Sequence, residues 1–202
     1  MTPQLLADDL ALARQAADVA DAVSLPGFQQ RGFTVERKAD KSEVTELDRN
    51  TELAVSNLLR AERPGYSLYG EEHGVVGPAD AATQWVVDPI DGTTSFVAGR
   101  PIFGTLIALL QDGWPVLGII DQPITGERWV GAKGMATRFR GPFGGTAGTR
   151  LCPAIGQAEL GATTPDMFQG PDAAKWASLT RQVGRTYYGG DCYTYGLLAL
   201  GQ

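Results

Sequence analysis

The 202-residue sequence predicts a layered, mixed α/β (α+β) fold. Three observations carry that prediction. Apolar residues recur at helical spacing through the first sixty residues. From Tyr66 the pattern shortens to strand-like runs. Glycine, at 26 residues, is too abundant for a helical bundle. Helices followed by a run of strands, then by a renewed alternation, predict a helical layer on a sheet in residues 1–145 and the start of a second α/β domain in 146–202.

Leu6, Leu10, Ala13, Ala17 and Ala20 form the stripe of an amphipathic helix over residues 2–23, with Pro26-Gly27 as its end. Residues 33–36 are expected as a short strand. Thr45 is an N-cap candidate for a second helix over 45–61, and Asp48 falls in its first turn, where a carboxylate suits the helix dipole. Residues 66–69 and 85–87 are short strands, each running into acidic residues. Residues 102–110 and 116–120 are longer strands, and Asp112-Gly113 between them is a hairpin signal. A strand at 128–130, a glycine-rich connection at 140–149, a strand at 158–163, a helix at 172–183, a strand end at 187–188 and an apolar helix from Cys192 to Leu200 complete the order. Trp85 and Trp129 are expected in the core or at an interface.

Composition narrows the function classes. The chain is 43% hydrophobic and 20% charged, which is not disordered composition. A net charge of −6 argues against a nucleic-acid groove, but not against small phosphorylated substrates where cations intervene. A single histidine, His73, excludes histidine-rich zinc sites and is expected at the surface or behind the site. Cys152 and Cys192 are expected as buried apolar side chains in a reducing compartment. Asp8, Asp9, Asp18 and Asp21 against Arg14 are not a secretory leader, and the longest apolar run falls far short of the ~20 residues that span a bilayer. The expectation is a soluble, cytoplasmic protein with neither membrane nor nucleic acid as partner.

The chemistry concentrates in QWVVDPIDGTTSF, residues 84–96. A strand delivers Asp88, Pro89 is expected to stop the ladder, and a tight turn brings Asp91 and the Ile90 carbonyl toward the same point. Hard oxygen donors that converge suit Mg²⁺. Gly92 lets the backbone approach a ligand, and Thr93 and Thr94 stand at a helix start, where N–H groups attract phosphate. Taken alone, this pattern is also an ordinary acidic turn. YGEEHG, residues 69–74, adds Glu71 and Glu72 at a second strand end, and like charges held together demand a cation or a proton.

YGEEHG, WVVDPIDGTTSF and KADKSEVTELD resemble the motifs of the inositol monophosphatase family. The stretches 104–131 and 187–201 are similar to its histidinol-phosphatase branch, and the resemblance runs from about residue 5 to residue 202. It implies the layered αβαβα sugar-phosphatase fold with its second domain incomplete. It also implies a Mg²⁺-dependent phosphomonoesterase with two or three ions per site, acting on histidinol phosphate in histidine biosynthesis. Glu71, Asp88 and the Ile90 carbonyl would hold one metal, and Asp88 with Asp91 a second. Glu71 and Thr93 would orient the attacking water and take its proton. The N–H groups of Gly92 and Thr93 would grip the phosphate. Asp48, with Lys38, would sit at the edge of the cluster, while Lys41 is expected as a solvated loop charge. Homodimers are usual in the family.

Asp191 stands where inositol phosphatases usually carry a small, uncharged residue. Its carboxylate would pair with a cationic substrate group, or cap the helix that follows. The family's third acidic motif would fall past Gln202 and is absent. That implies a weakened second metal site, a pocket open on one side and exposed apolar surface, and a fragment rather than a natural short form. Two other readings stay open: an inositol- or nucleotide-phosphate phosphatase, and a non-catalytic remnant of the fold.

Overall fold

The computed structural model describes residues 1–39 and 42–202, so Lys41 lies outside the described residues. The chain opens with α1 (Pro3–Gln30), capped by the Thr2 side chain, which accepts from the Leu5 N–H. Its predicted stripe is buried: Ala13, Ala17 and Ala20 are fully enclosed and Leu10 nearly so. The helix does not stop at Pro26 but carries it inside, to an end at Arg31, which takes φ 57° and donates its N–H to the Gly27 carbonyl. Tertiary packing overrides the proline there. Phe28 packs on Phe96 and Phe103, and Gly27 lies so close to Leu47 that a Cβ would meet Leu47 Cδ1 at 2.2 Å.

Two short strands, β1 (Val35–Arg37) and β2 (Glu43–Thr45), form an antiparallel pair. Helix α2 (Glu46–Glu62) begins on the predicted cap, with a full capping box: the Thr45 hydroxyl accepts from the Asp48 N–H and the Asp48 carboxylate accepts from the Thr45 N–H. The strands that follow are β3 (Ser67–Gly70), β4 (Gly74–Val76), β5 (Thr83–Asp91), β6 (Gly104–Gln111), β7 (Trp114–Gln122), β8 (Glu127–Ala132) and β9 (Arg138–Arg140). They make a seven-stranded sheet in the order β4-β3-β5-β6-β7-β8-β9, in which only β3 and β5 run parallel. Strands β4 and β9 are too short to show a period in the sequence. The β6–β7 turn carries Asp112 at φ 51° and Gly113 at φ 78°, the left-handed pair that a tight hairpin needs.

Helices α1 and α2 cover one face of this sheet. Trp85, Val87, Ile107, Leu109 and Ile119 meet Val55, Leu59 and the alanine stripe there. Trp129 is buried as well, under α5 (Asp191–Leu198), where a Cβ on Gly196 would stand 2.9 Å from the indole. Between β9 and α5 the chain forms β10 (Glu159–Ala162), α4 (Pro171–Thr180) and β11 (Arg185–Tyr188), and β10 and β11 pair in parallel as a separate small sheet. Helix α4 buries none of its residues. Cys192 is buried as expected, but Cys152 is exposed, in a segment with no sheet or helix to cover it. No helix among the described residues is long and apolar enough to cross a membrane.

Candidate active site

The parallel pairing of β3 with β5 builds the site. Gly70 stands opposite Val87, and the Glu71 N–H donates to the Val87 carbonyl at 3.1 Å. The residue that leaves β3 therefore lies beside Asp88, and the two acidic strand ends sit side by side as the sequence predicted.

Strand β5 does not end at Pro89. Pairing with β6 skips a bulge and resumes at Asp91 opposite Gly104. Proline is tolerated because the bulged positions owe no donor to the ladder, and the Thr105 hydroxyl donates to the Pro89 carbonyl at 2.8 Å. A small aromatic core of Ile90, Phe96 and Phe103 lies beneath this turn, with Phe28 and Phe33 against it. Gly92, at φ 87°, then starts α3 (Thr93–Ala98).

Asp48 is 1% exposed and reaches the turn from α2. The Thr93 hydroxyl lies 3.1 Å from Asp48 Oδ1 and 3.1 Å from the Ile90 carbonyl oxygen, and can donate to either. Asp48 Oδ2 accepts from the Thr45 N–H and hydroxyl. Burial raises the Asp48 pKa, and the Thr45 and Thr93 hydrogen bonds oppose that rise. Asp91 Oδ2 accepts the Cys192 N–H at 2.5 Å, so the start of α5 is tied directly to the turn. Burial pushes Asp91 up, against that hydrogen bond.

Asp88 is the most perturbed of the carboxyls. Burial first, then the charges of Glu71 and Asp91, push it up to about 9. Its Oδ1 is buried with no hydrogen-bond donor in reach. On the outer side, Lys38 Nζ holds Glu71 at 3.1 Å and Glu72 at 2.7 Å. Burial lowers the Lys38 pKa, but the hydrogen bonds to Glu72 and Glu71 prevail and raise it.

Asp191 is not an N-cap. Gly190 takes that position without a side-chain bond, and Asp191 itself adopts φ 41°. Its carboxylate points back at the β5–α3 turn, where a Cβ on Gly92 would meet Asp191 Oδ2 at 2.8 Å. Gly92 is thus required twice, for its positive φ and for this approach.

Among the described residues, no three His, Cys, Asp or Glu side chains form a ready-made ligand cluster. The donor set nevertheless fits a hard divalent cation: carboxylates and a backbone carbonyl, like charges in proximity, and a buried Asp88 oxygen that lacks a donor. The sequence reading brought Glu71, Asp88, Asp91, Gly92, Thr93, Asp48 and Asp191 to this region, together with Lys38, and the structure groups them all. It missed the Cys192 N–H, which no side-chain pattern encodes. It also missed Glu52, one helical turn beyond Asp48 and fully buried. The signal for Glu52 was there: a second acid at i+4 on the apolar side of an amphipathic helix.

The inositol monophosphatase family profile matches residues 5–202. The bifunctional phosphatase IMPL2, chloroplastic, of Arabidopsis thaliana is 41% identical over 192 residues, 95% of this chain and 54% of that protein. The chain thus spans about half the length of that relative. The histidinol-phosphatase of Streptomyces coelicolor is 34% identical over 207 residues, 96% of this chain and 75% of that protein. Among solved structures, an inositol monophosphatase from Zymomonas mobilis shares 44% identity with a TM-score of 0.80, over 96% of this chain and 73% of that one.

Proposed function

The chain belongs to the inositol monophosphatase family, and from that premise we propose that it hydrolyses a small phosphate monoester, histidinol phosphate, with Mg²⁺ as the cofactor. Residues 1–145 supply the metal and phosphate side of the site, and 146–202 the substrate side. The observation that carries the reading is the alignment of β3 with β5, which sets Glu71 beside an Asp88 whose buried oxygen has no donor.

Glu71, Asp88, Asp91 and the Ile90 carbonyl would hold the cations. When bound, they supply a water of lowered pKa and neutralise charge on the phosphoryl oxygens. The chain's own residues do the rest. The backbone N–H groups of Gly92 and Thr93 orient the phosphate. The Thr93 hydroxyl, 3.1 Å from Asp48 Oδ1, passes a proton from the attacking water toward Asp48, whose burial favours the protonated form. Glu71 orients that water. Asp191, held against Gly92, receives the cationic amino or imidazole group of the substrate.

The Streptomyces coelicolor relative supports the choice of ester, through its description as a histidinol-phosphatase. A second reading, inositol phosphate as substrate, is favoured by the 44% identity to the Zymomonas mobilis inositol monophosphatase. Phosphate release with Mg²⁺ from histidinol phosphate, inositol 1-phosphate and a nucleotide 3′-phosphate separates them. Histidinol phosphate is expected to react fastest. Asp191→Asn is expected to cut that preference about tenfold or more, with the inositol phosphate rate within about threefold of the parent. Equal rates on all three esters, or a preference untouched by Asp191→Asn, would overturn the assignment of Asp191.

A further inference from the structure

Glu52 is completely buried on α2, one turn from Asp48 and on the same side of the helix. Among the described residues, no lysine or arginine pairs with its carboxylate. Oε2 accepts the N–H of Glu72 at 2.7 Å, and Oε1 accepts the N–H of His73 at 2.9 Å. The His73 ring nitrogen Nδ1 stands 2.7 Å from the same Oε1, while the ring itself is exposed. The turn that carries Glu71 and Glu72 is therefore gripped from beneath by one carboxylate and from outside by Lys38.

Gly70 completes the grip. A Cβ there would meet Glu52 Oε1 at 2.2 Å, Cδ at 2.3 Å and Oε2 at 2.7 Å. Only glycine lets β3 end directly over this carboxylate. Glycine before two glutamates and a buried acid on the neighbouring helix thus form one device, although they lie 18 residues apart in the sequence.

We propose that Glu52 is a positioning residue, which sets the 70–74 turn and through it the placement of Glu71 at the site. The catalytic half of this proposal rests on the phosphatase reading; the structural half does not. A buried carboxylate that accepts two consecutive backbone N–H groups fixes the path of the turn as well as anchoring it. An amide cannot replace it: whichever way Gln is turned, its NH₂ faces a backbone N–H.

The test compares the full chain with Glu52→Gln, Gly70→Ala and His73→Ala. Three readouts are needed: hydrogen exchange at the Glu72 and His73 amides, Mn²⁺ affinity from the free-ion EPR signal, and kcat and KM on a phosphate ester. In Glu52→Gln the two amides are expected to lose protection, Mn²⁺ affinity and kcat to fall about 10–100-fold, and KM to move less than threefold. Gly70→Ala, which keeps every atom of Glu52, is expected to give the same pattern and decides the matter if Glu52→Gln does not fold. With Glu52→Ala in the background, Gly70→Ala is expected to add nothing, since the clash is gone.

His73→Ala leaves both backbone bonds intact and is expected to stay within about threefold of the parent. Unchanged exchange and Mn²⁺ affinity in both Glu52→Gln and Gly70→Ala would overturn the proposal. So would His73→Ala reproducing the full loss, because the imidazole and not the backbone would then be the partner. If the parent chain hydrolyses no ester, the phosphatase reading fails, while exchange and Mn²⁺ binding still decide the role of Glu52.

Discussion

The sheet face under α1 and α2 and the segment from residue 155 onward are built on opposite balances. The first is packed around fully enclosed side chains such as Leu59, Leu109 and Val55, and it also encloses Asp9, which accepts from Arg63 and Tyr66. In the second, α4 buries nothing, and Met167, Tyr188, Tyr195 and Leu198 are exposed. The candidate site lies where the two meet. Glu71, Asp88, Asp91 and Asp48 come from the dense region, and Asp191 from the sparse one. Groups that must hold charge at fixed separations thus stand on or beside the sheet and α2, while the residue assigned to substrate choice opens α5, which is held by the Cys192 N–H to Asp91 and by the Tyr193 hydroxyl, which donates to Glu127 Oε2 at 2.8 Å.

Asp88→Asn breaks that comparison most sharply, because it removes charge at the dense centre. Hydrolysis is expected to fall by about a thousandfold or more, as the group contributes to every proposed cation contact. Stability without added metal is expected to move the other way. The folded state holds the Asp88 proton up to about pH 9, while the unfolded chain releases it near its ordinary value of 3.8. Folding therefore loses stability as pH rises from about 4 toward 9. Asn carries no such charge, so the variant is expected to melt higher than the parent at pH 8 in chelator. A variant that melts lower there would mean that Asp88 is stabilised by contacts the burial argument omits.

Packing supplies the second contrast. Leu59, enclosed between α2 and the sheet, is expected to cost about 2–5 kcal/mol on change to Ala. Leu179, on α4, is expected to cost less than about 1 kcal/mol. Urea denaturation of both variants measures the difference directly. Comparable losses would show that the segment from residue 155 folds as one cooperative unit with the sheet, and the contrast drawn here would fail.

The sequence showed most of the dense region because its patterns are local. The alanine stripe of α1, the Thr45–Asp48 box and the Asp112-Gly113 turn each encode their element within a few residues. The long reach of α1 past Pro26 was not legible, since it depends on Phe28 finding Phe96 and Phe103 some 70 residues away. The passage of β5 through Pro89 depends likewise on a bulge that Thr105 supports from the next strand. At the site, acidic motifs announced Glu71, Asp88 and Asp91 by type and spacing. Glu52 stayed hidden because its partners are main-chain N–H groups, which every sequence has and none displays. The capping role considered for Asp191 failed because the helix begins one residue earlier than expected: Gly190 takes the cap position, and Asp191, itself at φ 41°, turns its carboxylate toward Gly92.

The smallest expected effect lies away from the site, where α1 meets β7 and β8. Arg128, buried there, reaches Asp18 at 2.7 Å, Asp21 at 3.4 Å and Asp121, and it donates to the Arg14 carbonyl at 3.4 Å. One guanidinium faces three carboxyls. Asp21 Oδ1 and Asp121 Oδ2 are both buried without a donor, and one proton shared between them satisfies both. Burial, the Asp121 hydrogen bond and the Asp121 charge together push Asp21 up to about 8, against the pull of Arg128. The folded pKa lies above the unfolded one, so this group's contribution is full below about pH 4, declines as pH rises, and is gone above about 8. Asp21→Asn keeps a donor toward Asp121 at every pH. Relative to the parent, it is expected to gain stability between pH 5 and pH 9. Chemical denaturation at the two pH values measures this. Parallel curves for parent and variant across that range would mean that Arg128 alone neutralises the cluster and that no proton is shared.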